Sequence, residues 1–287
     1  MQAEQITEAI ATHGEGPCWL ARSGELGWVD MLAGRVLATS LATSTTQVIE
    51  IPGPIAAIIR PRAAGGLVVA TETGVVLLDE YESPTPLCEI IAEPGIRMND
   101  GACDPQGRFW CGSMAYDHDA QPEAGSLWRV GADGAVATAL TGIGISNGLD
   151  WSDDGTTAFY VDTPTGRIDT FAFDGATGEL SERRPFAEIE RAAGMPDGLT
   201  IDAEGGVWVA LWEGGAVRRY APDGTLDAVV SLPCGLVTAC TFGGPDLDEL
   251  FITTSRLGLP PGADPAGGSL FRCRPGVRGR AVREFAG

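Results

Sequence analysis

Residues 147–162 read NGLDWSDDGTTAFYVD, and this stretch holds the pattern that decides the fold. A polar residue and a glycine open a short apolar strand, a turn rich in Asp and Gly follows, and a second apolar strand ends the unit. The same order returns at residues 14–30, 99–112 and 197–210. The clear copies start at positions 15, 99, 147 and 197, so the intervals are 84, 48 and 50 residues. The first interval has room for two repeats of about 42 residues each.

Two weaker copies, at residues 56–70 and 238–253, complete a set of six units that fills the chain. Each unit also contains two further strand-like pieces, of which residues 125–130 are typical. Four short strands at this period are typical of a propeller blade. We therefore predict an all-β, six-bladed β-propeller with four-stranded antiparallel blades, as one domain over residues 1–287. A β-sandwich or a larger barrel does not explain so regular a repeat.

Two local features accompany this prediction. A closed ring has to hide its strand edges, so we expect a strand over Gln5 to Ala11 to pair with the last blade and join the chain ends. Helical periodicity is almost absent, and Phe186 to Ala193 is the one segment where a helical turn is expected.

Composition excludes several classes of function. The 287 residues carry a net charge of −20, which disfavours nucleic acid or an anionic membrane as a partner. There is no lysine, which excludes a Schiff base or a phosphate-loop lysine. Seven cysteines without a C-x-x-C pair indicate reduced thiols in a cytoplasmic protein, and no apolar run is long enough to span a membrane. Five arginines between positions 272 and 283 are expected in a solvated edge strand or tail.

The polar residue that opens each clear repeat is the candidate for chemistry. These residues are Glu15, Asn99, Asn147 and Asp197. In a propeller the innermost strand of each blade lines the central channel, so equivalent positions gather at one mouth. Asn-Gly and Asp-Gly also form ordinary hairpin turns, but each repeat has a separate Asp/Gly-rich turn a few residues later.

Two carboxylates and an amide oxygen in one narrow mouth would repel each other without a cation. Such an all-oxygen set suits one hard divalent ion, Ca²⁺ first, with Mg²⁺, Mn²⁺, Zn²⁺ or Fe²⁺ as alternatives. The two histidines, His13 and His118, are too few for a typical catalytic zinc site, and no Ser-His-Asp triad is evident. Arg97, two residues before Asn99, adds a fixed positive charge near the same mouth.

Taken together, these motifs resemble the regucalcin/gluconolactonase family of six-bladed propellers, the senescence-marker-protein type. The matching segments are GEGPCW at 14–19, RMNDG at 97–101, DPQGR at 104–108, GSLWR at 125–129, SNGL at 146–149 and PDG at 196–198. Near the C-terminal end FGGPD at 242–246 and LFITT at 250–254 match the last blade. Cys18 and Trp128 depart mildly from the family pattern.

The resemblance implies that Glu15, Asn147 and Asp197 bind the divalent metal and that Arg97 and Asn99 hold the substrate. It implies hydrolysis of a small sugar-acid lactone. Separately from the resemblance, we expect a monomer or weak homo-oligomer. In the loop at 115–124, where family members place another substrate-contacting carboxylate, the sequence offers Glu123 or Gln121.

These assignments lead to a hypothesis of metal-assisted lactone hydrolysis. The ion would polarise the ring carbonyl, and Asp197 would act as general base toward the attacking water. Two other functions remain open at this point. One is a related metal-dependent esterase or phosphotriesterase, and the other is a non-catalytic interaction or calcium-binding propeller.

Overall fold

The computed structural model describes residues 1–79 and 83–287, and almost all of its regular structure is β-strand. The strands form six four-stranded sheets in which neighbours along each sheet are antiparallel. The predicted six-bladed β-propeller is therefore confirmed.

Strands are given from the innermost to the outermost in each blade. The first blade contains β2 Gly14–Leu20, β3 Glu25–Asp30, β4 Arg35–Ser40 and β5 Thr45–Glu50, and the second contains β6 Ala56–Pro61, β7 Leu67–Thr71, β8 Gly74–Leu78 and β9 Thr85–Glu89. The third blade contains β10 Ile96–Cys103, β11 Phe109–Ala115, β12 Gly125–Val130 and β13 Val136–Ile143. The fourth blade contains β14 Ser146–Trp151, β15 Thr157–Asp162, β16 Arg167–Asp174 and β17 Glu179–Glu188, and the fifth contains β18 Met195–Ile201, β19 Val207–Trp212, β20 Ala216–Tyr220 and β21 Leu226–Ser231. The sixth blade contains β22 Val237–Gly243, β23 Glu249–Thr254, β24 Leu270–Cys273 and β1 Glu4–Gln5.

The two ends of the chain close the ring in the sixth blade. The outermost strand there is β1, which pairs with β24 through Glu4 opposite Arg272 and Gln5 opposite Phe271. The predicted closure is present, but its strand is shorter than expected and begins one residue earlier. Beyond Gln5 the chain follows the blade through separate bonds, such as Ile6 N to Leu270 O at 2.9 Å.

Helical structure in the described residues amounts to three short 3-10 turns, Met31–Ala33, Thr163–Thr165 and Arg191–Ala193. The helical turn expected from Phe186 onward is thus limited to its last three residues, because β17 continues through Glu188.

The core lies between adjacent blades, where each sheet packs its apolar side chains against the next. Between the third and fourth blades, the rings of Trp110, Trp151 and Phe173 contact one another at centroid distances of 5.6–6.1 Å. All seven cysteines are free, and five of them are buried. Burial raises the pKa of Cys18 to about 11, so its thiol stays protonated and packs as an apolar group.

Each inner strand breaks register once with its neighbour, close to the mouth of the channel where it begins. The breaks lie between Glu15 and Cys18, Ala56 and Ile58, Met98 and Gly101, Asn147 and Leu149, Pro196 and Leu199, and Val237 and Ala239. Bulges of this kind redirect side chains. Their recurrence in all six blades explains why residues far apart in sequence reach one mouth, named here the upper mouth.

The glycines at these bulges allow neighbouring inner strands to approach each other. A Cβ atom on Gly148 would lie 2.7 Å from the carbonyl oxygen of Asp197, and one on Gly198 would lie 2.5 Å from the Cβ of Ala239. Neither glycine has a positive φ, so the requirement here is close packing rather than a left-handed backbone.

The C-terminal segment, residues 274–287, crosses the opposite end of the channel, named here the lower mouth. Its backbone bonds to residues that follow the inner strands, including Ala203 N to Arg278 O at 2.8 Å and Ala286 N to Gly107 O at 2.9 Å. The segment covers a cavity of about 470 Å³ that Arg60 also lines.

The expectation of a solvated arginine tail is wrong for two of the five arginines. Arg280 and Arg283 both form ion pairs with Asp150, at 3.3 and 2.8 Å, and are largely buried. These contacts span about 130 positions of sequence, so composition alone could not reveal them.

Candidate functional site

The structure brings the polar residues that open the clear repeats to the upper mouth. Glu15, Asn147 and Asp197 lie on β2, β14 and β18, beside the bulges, and their exposed fractions are only 4–5%. Asn99 and its neighbour Asp100 occupy the bulge of β10 and are also buried. Four of the six blades therefore contribute a buried polar group to one small region.

Two oxygen atoms in this region are buried and accept no hydrogen bond, Asn147 Oδ1 and Asp197 Oδ1. Among the described residues, the only other buried side-chain nitrogen or oxygen atoms without a hydrogen-bond partner are the donors Trp151 Nε1 and Arg280 Nη1. Buried acceptors without donors are rare because they lose hydration without compensation. Two such oxygens at one mouth indicate a group that needs oxygen ligands.

The carboxyl groups in the upper mouth strongly oppose one another's ionisation. Burial, and after it the nearby Asp100, raise the pKa of Glu15 from its ordinary 4.5 to about 8. The pKa of Asp197 is raised well above its usual range by burial, then by Glu15 and Asp100. Asp100 itself has a raised pKa through burial. The site therefore holds three carboxyls, of which sequence reasoning left Asp100 without a role.

Arg97 is the positive charge of the site, and burial lowers its pKa while Tyr116, Glu15 and Asp197 oppose that shift. Its Nη1 donates to Asn99 Oδ1 at 2.7 Å. The amide of Asn99 in turn donates from Nδ2 to the carbonyl of Ser146 at 2.9 Å. Arg97 and Asn99 are thus held as a pair, while Nε and Nη2 of Arg97 make no hydrogen bond to a described residue.

The loop at 115–124 contributes an aromatic side chain to the rim. The Tyr116 ring lies 5.8 Å from the Arg97 guanidinium, and its hydroxyl donates to Glu72 at 2.6 Å. Tyr116 is 48% exposed, so part of its ring faces solvent. Glu123, the residue considered from sequence, is exposed and makes no side-chain hydrogen bond to a described residue. Its contact with substrate stays a prediction.

The two histidines differ in environment. His13 is buried next to the site, with Nε2 3.9 Å from Glu15 Oε1 and Nδ1 2.8 Å from Ser255 Oγ. Burial and the charge of Arg97 lower the pKa of His13 to about 3, so its imidazole is neutral. His118 is exposed and lies 3.8 Å from Asp119. His13 therefore packs against the candidate site as a neutral side chain.

Sequence reasoning missed one set of equivalent positions near the site, and we call it the second-strand ring. Each member directly follows the second strand of its blade; they are Met31, Glu72, Tyr116, Thr163, Glu213 and Ser255. Met31 contacts Arg97 through sulfur at 3.2 Å, and Thr163 accepts from Asn147 Nδ2 at 3.0 Å. The period that revealed the inner strands also fixes these positions, so a count from each second strand could have found them.

Within residues 1–79 and 83–287, no group of three or more His, Cys, Asp or Glu side chains is arranged to hold a metal ion. The candidate ligand set contains two carboxyls and, as its third member, the amide of Asn147. None of the described helices has the length and apolar character needed to cross a membrane.

Residues 13–256 match the family model described as SMP-30/Gluconolactonase/LRE-like region. The chain belongs to this family. Regucalcin of Xenopus laevis is 34% identical over 283 residues, covering 96% of this chain and 95% of that protein. The pentonolactonase XacC of Haloferax volcanii is 35% identical over 259 residues, covering 89% and 86%. The crystal structure of a calcium-binding regucalcin from Agrobacterium tumefaciens superimposes with a TM-score of 0.92 at 30% identity, covering 99% and 97% of the two chains.

The segment that matches the family model contains the residues of the upper mouth. The matched segment begins two residues before Glu15 and contains every candidate ligand, as well as Arg97, Asn99 and Glu123. The match extends over most of the chain, and the buried polar cluster lies within it.

Proposed function

We propose that this family member is a divalent-cation-dependent lactonase that opens a sugar-acid lactone to the aldonic acid. The observation that carries the proposal is the pair of buried, donor-free oxygens, Asn147 Oδ1 and Asp197 Oδ1, beside the carboxyl of Glu15. The relative named pentonolactonase supports the lactone as substrate class, and the neighbour named a calcium-binding protein supports a cation.

The residues present fit a hard divalent cation. Glu15 and Asp197 would supply carboxylate oxygens and Asn147 its amide oxygen, a donor set that Ca²⁺, Mg²⁺ or Mn²⁺ accepts. A cation bound there would supply Lewis-acid polarisation of the ring carbonyl and stabilise the developing oxyanion.

Arg97 and Asn99 are proposed to orient the lactone. Asn99 fixes the Arg97 guanidinium through the 2.7 Å bond, so the free Nε and Nη2 donors have a defined direction. Donors held in this way lose little freedom when they bind substrate hydroxyls, which favours a reactive orientation. The exposed part of the Tyr116 ring would limit how the sugar enters at the rim.

Asp197 is proposed as the general base that takes a proton from the attacking water. Burial and the nearby Glu15 and Asp100 raise the pKa of Asp197 well above its usual range, which favours the protonated form that cannot act as a base. A bound cation would oppose this shift and favour the ionised base, so we expect it to promote hydrolysis both by polarising the carbonyl and by freeing the base.

The test is a metal-content measurement joined to a substrate panel. The purified protein is stripped with chelator, reloaded with Ca²⁺, Mg²⁺, Mn²⁺ or Zn²⁺, and assayed on five- and six-membered aldonolactones, an aryl ester and a phosphotriester. We expect lactone hydrolysis to vanish on stripping and to return on reloading. A rate unchanged by stripping would contradict the cation. Preference for the phosphotriester would replace the lactone as substrate class, and inactivity on the whole panel would favour a non-catalytic propeller.

A further inference from the structure

The amide of Asn147 has two possible orientations, and only one of them offers oxygen to a cation. In the structure Nδ2 donates to Thr163 Oγ1 at 3.0 Å, while Oδ1 has no partner. In this orientation the amide also hydrogen-bonds to Asp197, which partly offsets the raised pKa of that carboxyl. A turned amide would exchange the positions of its oxygen and nitrogen and would present N–H groups where Oδ1 now lies.

The hydroxyl of Thr163 decides between the two orientations. A hydroxyl has one proton, and Thr163 Oγ1 donates it to the carbonyl oxygen of Pro196 at 2.8 Å. Only its lone pairs then remain for Asn147, so the hydroxyl can accept from Nδ2 but cannot donate to Oδ1. A turned amide would place two acceptors against each other.

The position of Thr163 is itself fixed. It is the first residue of the 3-10 turn Thr163–Thr165 and is 6% exposed. Its backbone N–H donates to Ile145 O at 3.1 Å, and its carbonyl accepts from Gly166 N at 3.1 Å. The hydroxyl therefore presents a set direction to Asn147 rather than following it.

Thr163 also links two blades that supply candidate ligands. Asn147 lies on β14 of the fourth blade, and Pro196 directly precedes Asp197 on β18 of the fifth. One side chain thus contacts a ligand on one side and the backbone next to another ligand on the other side.

We propose that Thr163 is a positioning residue that sets the amide of Asn147 with Oδ1 toward the cation and ties it to the strand that carries Asp197. The inference rests on the proposed function because it needs a cation at this mouth. It adds a residue outside the ligand set whose hydroxyl determines metal affinity without touching the metal.

The experiment measures Mn²⁺ binding by calorimetry in the absence of substrate. Thr163→Val keeps the shape and removes the hydroxyl, so we expect the dissociation constant to rise about 10- to 100-fold, as for other residues that orient metal ligands. Thr163→Ser keeps the hydroxyl and is expected to stay within about threefold. Thr165→Val is the matched control, because Thr165 Oγ1 donates to Asp162 O at 2.7 Å in the same turn without contacting Asn147.

A second background separates orientation from general damage. A carboxylate has two equivalent oxygens, so in Asn147→Asp an oxygen faces the cation whichever way the group is turned. The Thr163 hydroxyl then has no effect on which atom is presented. We expect Thr163→Val to change Mn²⁺ affinity by about threefold or less in that background, which gives a clear coupling in the double-mutant cycle. If Thr163→Val does not fold, Thr163→Cys replaces it, because a thiol is a weak donor and acceptor of similar size.

Each result decides the proposal. A lower melting temperature of metal-free Thr163→Val with unchanged Mn²⁺ affinity would overturn it in favour of a purely structural role. Equal losses in the wild-type and Asn147→Asp backgrounds would also overturn it. If the wild type binds Mn²⁺ but hydrolyses no lactone, the proposed activity fails while the role of Thr163 stands. If the wild type binds no divalent cation, both fail.

Discussion

The inner strands β10 and β18 have aspartates near both ends, and the carboxyl groups at the two ends differ in their hydrogen bonding. At the lower mouth Asp202 directly follows β18 and accepts four hydrogen bonds, from Glu204 N, Gly206 N, Trp208 Nε1 and Arg219 Nε at 2.7–2.9 Å. At the upper mouth Asp197, five residues earlier, leaves Oδ1 without a donor. Asp104, after β10, repeats the saturated pattern with Arg108 and Trp110.

The difference separates a structural use of aspartate from a functional one. A buried carboxylate with every lone pair matched joins a turn, an indole and a guanidinium, and it stabilises the blade. A buried carboxyl with one oxygen that has no donor weakens the metal-free fold, and this cost is removed when a ligand binds that oxygen. The two mouths can therefore be tested against each other with matched substitutions.

The largest expected effect comes from Asp197→Asn. This change keeps the volume and removes both the proposed base and a charged ligand. We expect kcat/KM for the best lactone to fall at least about 1,000-fold, in the range of losses seen when a key charge-stabilising group is removed. Metal-free melting should not fall, because the variant removes a buried carboxyl with a raised pKa.

Retention of most of the lactonase rate by Asp197→Asn would refute the assignment. A large drop in the metal-free melting temperature would instead show that Asp197 is structural, and would erase the contrast with Asp202.

The lower mouth should respond in the opposite way. Asp202→Ala leaves Trp208 Nε1 and two backbone N–H groups without an acceptor and removes one partner of Arg219. We expect a loss of about 3–5 kcal/mol in the free energy of unfolding, measured by urea denaturation, with kcat/KM per folded molecule within about twofold of wild type. Normal stability together with lost activity would contradict the structural role.

The third prediction concerns pH. In the metal-free protein the pKa of Glu15 is about 8 instead of 4.5, so between these values the folded state keeps a proton that the unfolded chain has released. Stability of the metal-free protein should therefore fall as pH rises from about 5 to 8 and level off above that. Metal binding has to displace the proton, so apparent Mn²⁺ affinity should rise up to about tenfold per pH unit in the same window.

The matched control for pH is metal-free Glu15→Gln. It has no carboxyl at this position, so its stability should depend less on pH between 5 and 8. Equal pH profiles for wild type and Glu15→Gln would show that Glu15 does not hold the proton.

The sequence predicted the fold and the candidate ligands through one property, the repeat. Because Glu15, Asn147 and Asp197 stand at the same phase of the repeat, propeller geometry alone brings them together. Thr163 and Tyr116 belong to a different phase, and their roles depend on hydrogen bonds that no local pattern encodes. The arginines at 280 and 283 were misjudged because their partner, Asp150, lies about 130 residues away.

The rim of the upper mouth is where the smallest effects are expected and where the sequence was least informative. Its loop at 115–124 contains Glu123, exposed, and Tyr116, which lies against Arg97. If Glu123 contacts substrate as considered from sequence, Glu123→Gln should raise KM by about three- to tenfold with kcat unchanged, since one exposed hydrogen bond to a charged group is worth about 1 kcal/mol.

Tyr116→Phe provides the comparison, because it removes only the hydroxyl bonded to Glu72 and leaves the ring over Arg97. We expect the KM of this variant to stay within about threefold of wild type. Tyr116→Ala also removes the ring, so we expect its KM to rise by more than about threefold. Steady-state kinetics on one lactone would compare all three. An unchanged KM in Glu123→Gln together with a raised KM in Tyr116→Ala would assign the substrate contact at the rim to the Tyr116 ring rather than to the Glu123 carboxylate.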